Sequence, residues 1–144
     1  MQKRWMLALA LMLVLPTAWA GGPSAATRVE LRMPEVLMLR INGRDDPNVP
    51  VRVVAGHVTP EVLHVEVVAN TAWKLTVRST PLVGPLELPP DRLLLAGEPL
   101  STLARPVRSG QGPAVFELPL DARLQPGEPD GEYRAVLTFE LARP

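Results

Sequence analysis

The sequence predicts an all-β protein, a single antiparallel β-sandwich of about seven or eight strands. Three observations predict it. Apolar residues after the first twenty positions recur with period two rather than 3.6. The short alternating runs are separated by Pro- and Gly-rich segments of turn character. No amphipathic helical run lies between them to carry the crossovers that a parallel sheet needs.

The first residues read as a leader. Lys3 and Arg4 precede an apolar run from Trp5 to Leu15, Pro16 breaks it, and Ala18-Trp19-Ala20 offers small residues at the cleavage-site positions. The run is short of the ~20 residues a spanning helix requires. Cleavage after Ala20 is therefore expected, which leaves no integral membrane segment and exports the protein to the periplasm, the cell surface or the medium. Residues 1–20 are the signal peptide, 21–26 a flexible N-terminus, and 27–144 the β-sandwich domain.

The full chain carries 15 basic and 15 acidic residues. Losing Lys3 and Arg4 tips the mature chain slightly acidic, which argues against an electrostatic grip on nucleic acid or anionic lipid. Cysteine is absent. Thiol chemistry and Cys-ligated metals are excluded, and an exported domain of this kind must be held by packing alone.

The strands follow in chain order. Val29, Leu31 and Met33 alternate with charged residues, then Leu37, Leu39 and Ile41 lead to an Asn42-Gly43 turn. A polar loop spans Asn42–Pro50, and Val51 and Val53 start a short strand. Four prolines make Pro81–Pro90 an edge strand or an extended connection. Leu93–Leu95 adds a short strand, Gly97–Pro113 reads as loop, and Phe116, Leu118 and Leu120 alternate again. A polar loop, Asp121–Asp130, precedes the clearest alternation, Tyr133, Ala135, Leu137, Phe139 and Leu141.

The stretch Val62–Thr80 holds Trp73, the one tryptophan beyond the leader. Leu63, Val65, Val67 and Ala69 share odd parity with Trp73, Leu75 and Val77, while most even positions are polar. Treated as a hairpin, the two runs keep their apolar faces together when the loop has three residues, setting Ala69 opposite Trp73, or five, setting Val67 opposite Trp73. In the three-residue register His64 and Arg78 oppose each other on the solvated face. The expected core is Trp73, Leu75, Val77, Val65, Val67, Tyr133, Leu137 and Phe139. A buried indole removes on the order of 200 Å² from water, worth several kcal/mol at ~25 cal/mol per Å².

Two short motifs carry a resemblance. The Asp130–Ala135 run (DGEYRA) resembles the lead-in to the last strand of many secreted bacterial immunoglobulin-like sandwiches. Asn70–Ser79 (NTAWKLTVRS) is similar to a run in spore-coat-U-like and fimbrial-type surface proteins. The resemblance implies an immunoglobulin-like topology, a structural or surface role, and a Tyr133 hydroxyl bonded to backbone near its strand start, as in a tyrosine corner. The cysteine pair and aromatic C-terminus common in fimbrial subunits are missing.

No catalytic, cofactor or metal residues are assigned. His57 and His64 have no partners that complete a zinc set. Asp45, Asp46 and Asn48, and likewise Asp121, Glu128 and Asp130, lack the EF-hand spacing and read as polar turns. The expected function is a non-catalytic structural or protein-interaction module that assembles with a protein partner or itself through edge strands. Val29, Leu31 and Met33 are the candidate interaction strand, ordinarily the first strand of the sandwich, and the proline-rich edge at Pro81–Pro90 is the other candidate for strand addition. The alternative is a small periplasmic ligand- or glycan-binding domain using a groove beside Trp73 and the Asp45–Asn48 loop.

Overall fold

In a computed structural model, which describes Val29 and residues 31–144, the chain is all-β, with twelve strands and one short 3-10 turn at Pro90–Arg92. The strands are β1 (Leu37–Ile41), β2 (Asn48–Val54), β3 (His57–Thr59), β4 (Val62–Ala69), β5 (Ala72–Ser79), β6 (Leu82–Val83), β7 (Glu87–Leu88), β8 (Leu93–Leu95), β9 (Glu98–Pro99), β10 (Arg105–Gln111), β11 (Ala114–Ala122) and β12 (Glu132–Ala142). They form two antiparallel sheets. One has the order β1-β4-β11-β8-β9; the other has β10-β5-β12-β2-β3, with β6 beside β12 and β7 beside β6. Among the described residues no helix is long and apolar enough to cross a membrane.

Alternation decides the core. Leu63, Val65 and Val67 of β4 and Phe116, Leu118 and Leu120 of β11 are buried, as are Trp73, Leu75 and Val77 of β5 and Tyr133, Leu137 and Phe139 of β12. Each strand contributes every second side chain, so burying one face fixes the register of the whole strand. Residues 34–144 make up this compact unit.

The strand count exceeds the expected seven or eight because several strands are only two or three residues long and too short to show a period. Pro81–Pro90 holds two of them, β6 and β7, which pair with each other, while β6 also meets β12 at Val83 and Arg134. Arg105–Gln111, expected to be loop, is the edge strand β10, paired with β5. A register shift between Pro106 and Arg108 erases its alternation. Val29 and residues 31–33, expected as the first strand, belong to no strand, and Val29, Leu31 and Met33 are 73%, 89% and 80% exposed. The first strand of the sandwich is β1 instead.

β4 and β5, read from the sequence as a hairpin, do not pair with each other. β4 lies between β1 and β11, and β5 lies between β10 and β12 in the other sheet. Asn70 and Thr71 arch across the sandwich. Asn70 donates its backbone N–H to Val36 O and its side-chain amide to Pro34 O, and accepts from the Val36 N–H. Thr71 O accepts from the Gly112 N–H. These bonds bind the two sides of the link to different neighbours. His64 therefore faces Glu117 of β11 rather than Arg78. Alternation reports which face is buried, and a face can be buried against a strand opposite as well as beside one.

Tight turns follow left-handed backbone pairs. Asn42-Gly43, Ala55-Gly56 and Ala96-Gly97 all have positive φ at both residues, as two-residue hairpin turns of type I′ require. Alanine is a poor occupant there because its Cβ crowds the carbonyl, at roughly 1–2 kcal/mol, whereas asparagine tolerates the conformation. Ala55→Asn should raise unfolding stability by up to ~1 kcal/mol in chemical denaturation. Trp73→Ala should lower it by roughly 3–5 kcal/mol.

Candidate functional site

Trp73 sits where the arch closes the sandwich and is 1% exposed. Its indole Nε1 donates to Gly112 O at 2.8 Å, and its ring stacks on Phe116 of the opposite sheet, 6.3 Å between centroids and 9° between planes. The Arg108 guanidinium lies 4.2 Å from the Phe116 centroid. Gly110 of β10 passes so close that an added Cβ would stand 2.6 Å from Trp73 Cζ2. The indole fills space between sheets and presents no face to a ligand, so the groove beside Trp73 envisaged for a ligand is occupied by the protein's own residues. Tyr133, also buried, donates its hydroxyl to Pro129 O at 2.7 Å, and Gly84 lies against its ring.

The acidic loops are satisfied internally. Asp45 pairs with Arg40 at 3.0 Å, and Asp46 accepts from the backbone N–H of Asn48 at 2.9 Å. Glu128 is gripped by Arg92, with Nη2 to Oε2 at 2.8 Å, and accepts from the Gln125 N–H at 2.7 Å. The two side chains are 12% and 13% exposed. Arg92 and the Gln125 amide hold the Glu128 carboxyl below its usual range against a smaller opposing effect of burial. Glu35 is likewise held down by its ion pair with Arg143. Asp121 and Asp130 are not brought to Glu128 as a shared ligand set, and no three His, Asp or Glu residues are grouped to hold a metal among the described residues. His57 is on β3, while His64 on β4 pairs with Glu117 at 3.0 Å.

The edges of the two sheets carry the first candidate site. The main strand paths end in β1, β9, β10 and β3, and two-residue β7, between Pro85 and Pro89, is a further outer strand beside β6. β10 is guarded by Pro106 and its register shift, β9 has two residues including Pro99, and β3 has three and runs into Pro60. Prolines, bulges and brevity all blunt an edge. β1 has none of these inside it. Its register fixes which groups are free: Val36 bonds to Asn70 and Asn42 to His64, so even-numbered residues face β4, and odd-numbered ones face outward. Ile41 spends its outward groups on Arg44. Leu37 and Leu39 are left with backbone groups directed away from the sheet, next to the exposed side chain of Met38.

A second candidate lies on the outer face of the other sheet. A groove of about 530 Å³ runs over β2, β12 and β6, with Pro50, Pro81, Val83 and Val136 among its walls and Arg52 and Arg134 beside them. Arg52 and Arg134 are direct partners in the β2–β12 ladder. Sequence reasoning missed this pair because the two arginines are far apart in the chain, and only the strand order sets them side by side. The signal that could have been found is that both stand at polar positions between inward apolar residues, Val51 and Val53 for one and Tyr133 and Ala135 for the other.

The lowered Glu128 carboxyl predicts an acid dependence with a definite sign. Its folded pKa lies below its unfolded one, so the stability it contributes is full above about pH 4–5 and is lost as pH falls through the folded value. Urea midpoints measured from neutral to acid pH should fall less steeply in Glu128→Gln than in the parent, with the neutral-pH midpoint already reduced. Comparison with protein-family models, with curated proteins and with solved structures finds no match for this chain.

Proposed function

We propose that this protein is an exported, non-catalytic interaction module of the periplasm or cell surface that assembles by strand addition at β1, its partner being a second copy. The observation that carries this reading is the open edge of β1 at Leu37 and Leu39, an end strand that, among the described residues, no proline, register shift or three-residue length blunts. Strand addition supplies main-chain hydrogen bonds for affinity and alternate side-chain contacts for specificity. The chain also carries a segment suited to the task. Val29, Leu31 and Met33 alternate, are exposed, and belong to no strand. Paired in trans with β1, that segment would shield its apolar side chains and satisfy the free backbone groups of Leu37 and Leu39. The immunoglobulin-like topology suggested by the DGEYRA run suits such a role, and the Tyr133 bond to Pro129 O is the feature that run implies.

Analytical ultracentrifugation tests the assembly. The parent should show concentration-dependent association that disappears when residues 21–33 are deleted and when Leu31 becomes Asp. Leu37→Pro removes an outward N–H at the first residue of an edge strand without removing a bond to β4, and should also yield monomers of near-parent melting temperature. A parent that stays monomeric at all concentrations, or association that survives all three changes, would overturn the proposal.

A further inference from the structure

We infer that the groove on the outer face of the β10-β5-β12-β2-β3 sheet binds a monocarboxylate carried on an apolar body. This is a second surface, independent of the β1 edge. Arg52 and Arg134 face the same side as immediate cross-strand neighbours, and like charges placed so destabilise a sheet. A stability-neutral surface would put a neutral or acidic residue at one of the two positions.

The charges around the pair do not balance it fully. Arg134 Nη2 is 2.5 Å from Glu132 Oε2, so its charge is compensated. Arg52 has no hydrogen bond or ion pair among the described residues, in contrast to Arg40, Arg92, Arg105 and Arg143. The next charge in the same transverse row is Glu87, separated from Arg134 by Val83. Adjacent strands are ~5 Å apart, so the Glu87 backbone stands about 10 Å from that of Arg134; Glu87 also lines the groove, makes no ion pair with Arg52 among the described residues, and would oppose a dianion there. The site therefore offers one free guanidinium, whose planar fork suits the two oxygens of a carboxylate.

The rest of the groove sets what the carboxylate is attached to. Pro50, Pro81, Val83 and Val136 give it apolar walls, and Val83 is 62% exposed. Thr80 accepts from the Val136 N–H through Oγ1, which leaves its hydroxyl proton free to donate. The groove's volume, about 530 Å³, falls within the range of small-molecule sites. An anion without an apolar body would leave those walls wet, and an apolar molecule without an anion would leave Arg52 as it is.

Calorimetric titration of the full protein tests the assignment, with decanoate as the probe below its micellar range. Decanoate should bind one to one, decyl phosphate more weakly, and acetate and decyltrimethylammonium not measurably. Arg52→Gln should weaken decanoate about ten- to a hundredfold, the span expected for a lost hydrogen bond to a charged group. Its melting temperature should equal or exceed that of the parent, because Arg52 has no hydrogen bond or ion pair among the described residues to lose. Val83→Asp, at an exposed position, should abolish binding by placing a negative charge in the groove. Equal binding of all the decyl compounds, unaltered binding in Arg52→Gln, preference for the phosphate, or no saturable decanoate binding would each overturn the inference. A lowered melting temperature in Arg52→Gln would do so too, since it would assign Arg52 to the fold.

Discussion

Two sheets packed face to face share no ladder hydrogen bonds, and this chain has no cysteine to tie them. Whatever aligns them has to be side-chain packing at the points where the chain passes from one sheet to the other. The Trp73 indole is that point here. It stacks on Phe116 across the core, anchors its N–H on Gly112 in the link between β10 and β11, and lies over Gly110. One side chain thus ties β5, β10 and β11 together at the end where the Asn70-Thr71 arch crosses. The need for a glycine in β10, which weakens that strand's own alternation, follows from the size of the indole.

The opposite end is closed by polar means. Tyr133 reaches from the start of β12 to the Pro129 carbonyl, and the Arg92–Glu128 pair holds the loop between β11 and β12 against the short turn before β8. A largely shielded ion pair stabilises little by itself, because desolvation offsets much of its Coulomb gain. Its value lies in direction: the guanidinium and the Gln125 amide together hold the carboxylate in one geometry, and the loop with it.

Because interior and turns are satisfied from within, the surfaces with unspent capacity stand out. At β1 the unspent groups are backbone ones, left over because the strand is the last of its sheet. On the outer face of the other sheet the unspent group is a side-chain charge, left over because two arginines fall on neighbouring strands. Both arise from strand order, and neither draws on the core that keeps the sandwich folded. A fold of this kind can change either surface with small effects on its stability.

The residues bearing alternating apolar side chains were legible from the chain because period two is a local property: Val65, Val67, Leu75, Val77, Leu137 and Phe139 are buried wherever their strands are placed. The Asn42-Gly43 turn was legible too, since it rests on two residues with positive φ. What local pattern could not convey is which strand lies beside which. The arch at Asn70, strand β10 without alternation, the absence of a strand at residues 31–33 and the pairing of Arg52 with Arg134 are all matters of neighbours. By itself the sequence determined the β class, the buried face of each alternating strand and the central place of Trp73. Tertiary structure alone decided strand order, and with it the open edge and the arginine pair, because alternation sets the face a residue takes while hydrogen-bond partners far along the chain set its neighbours.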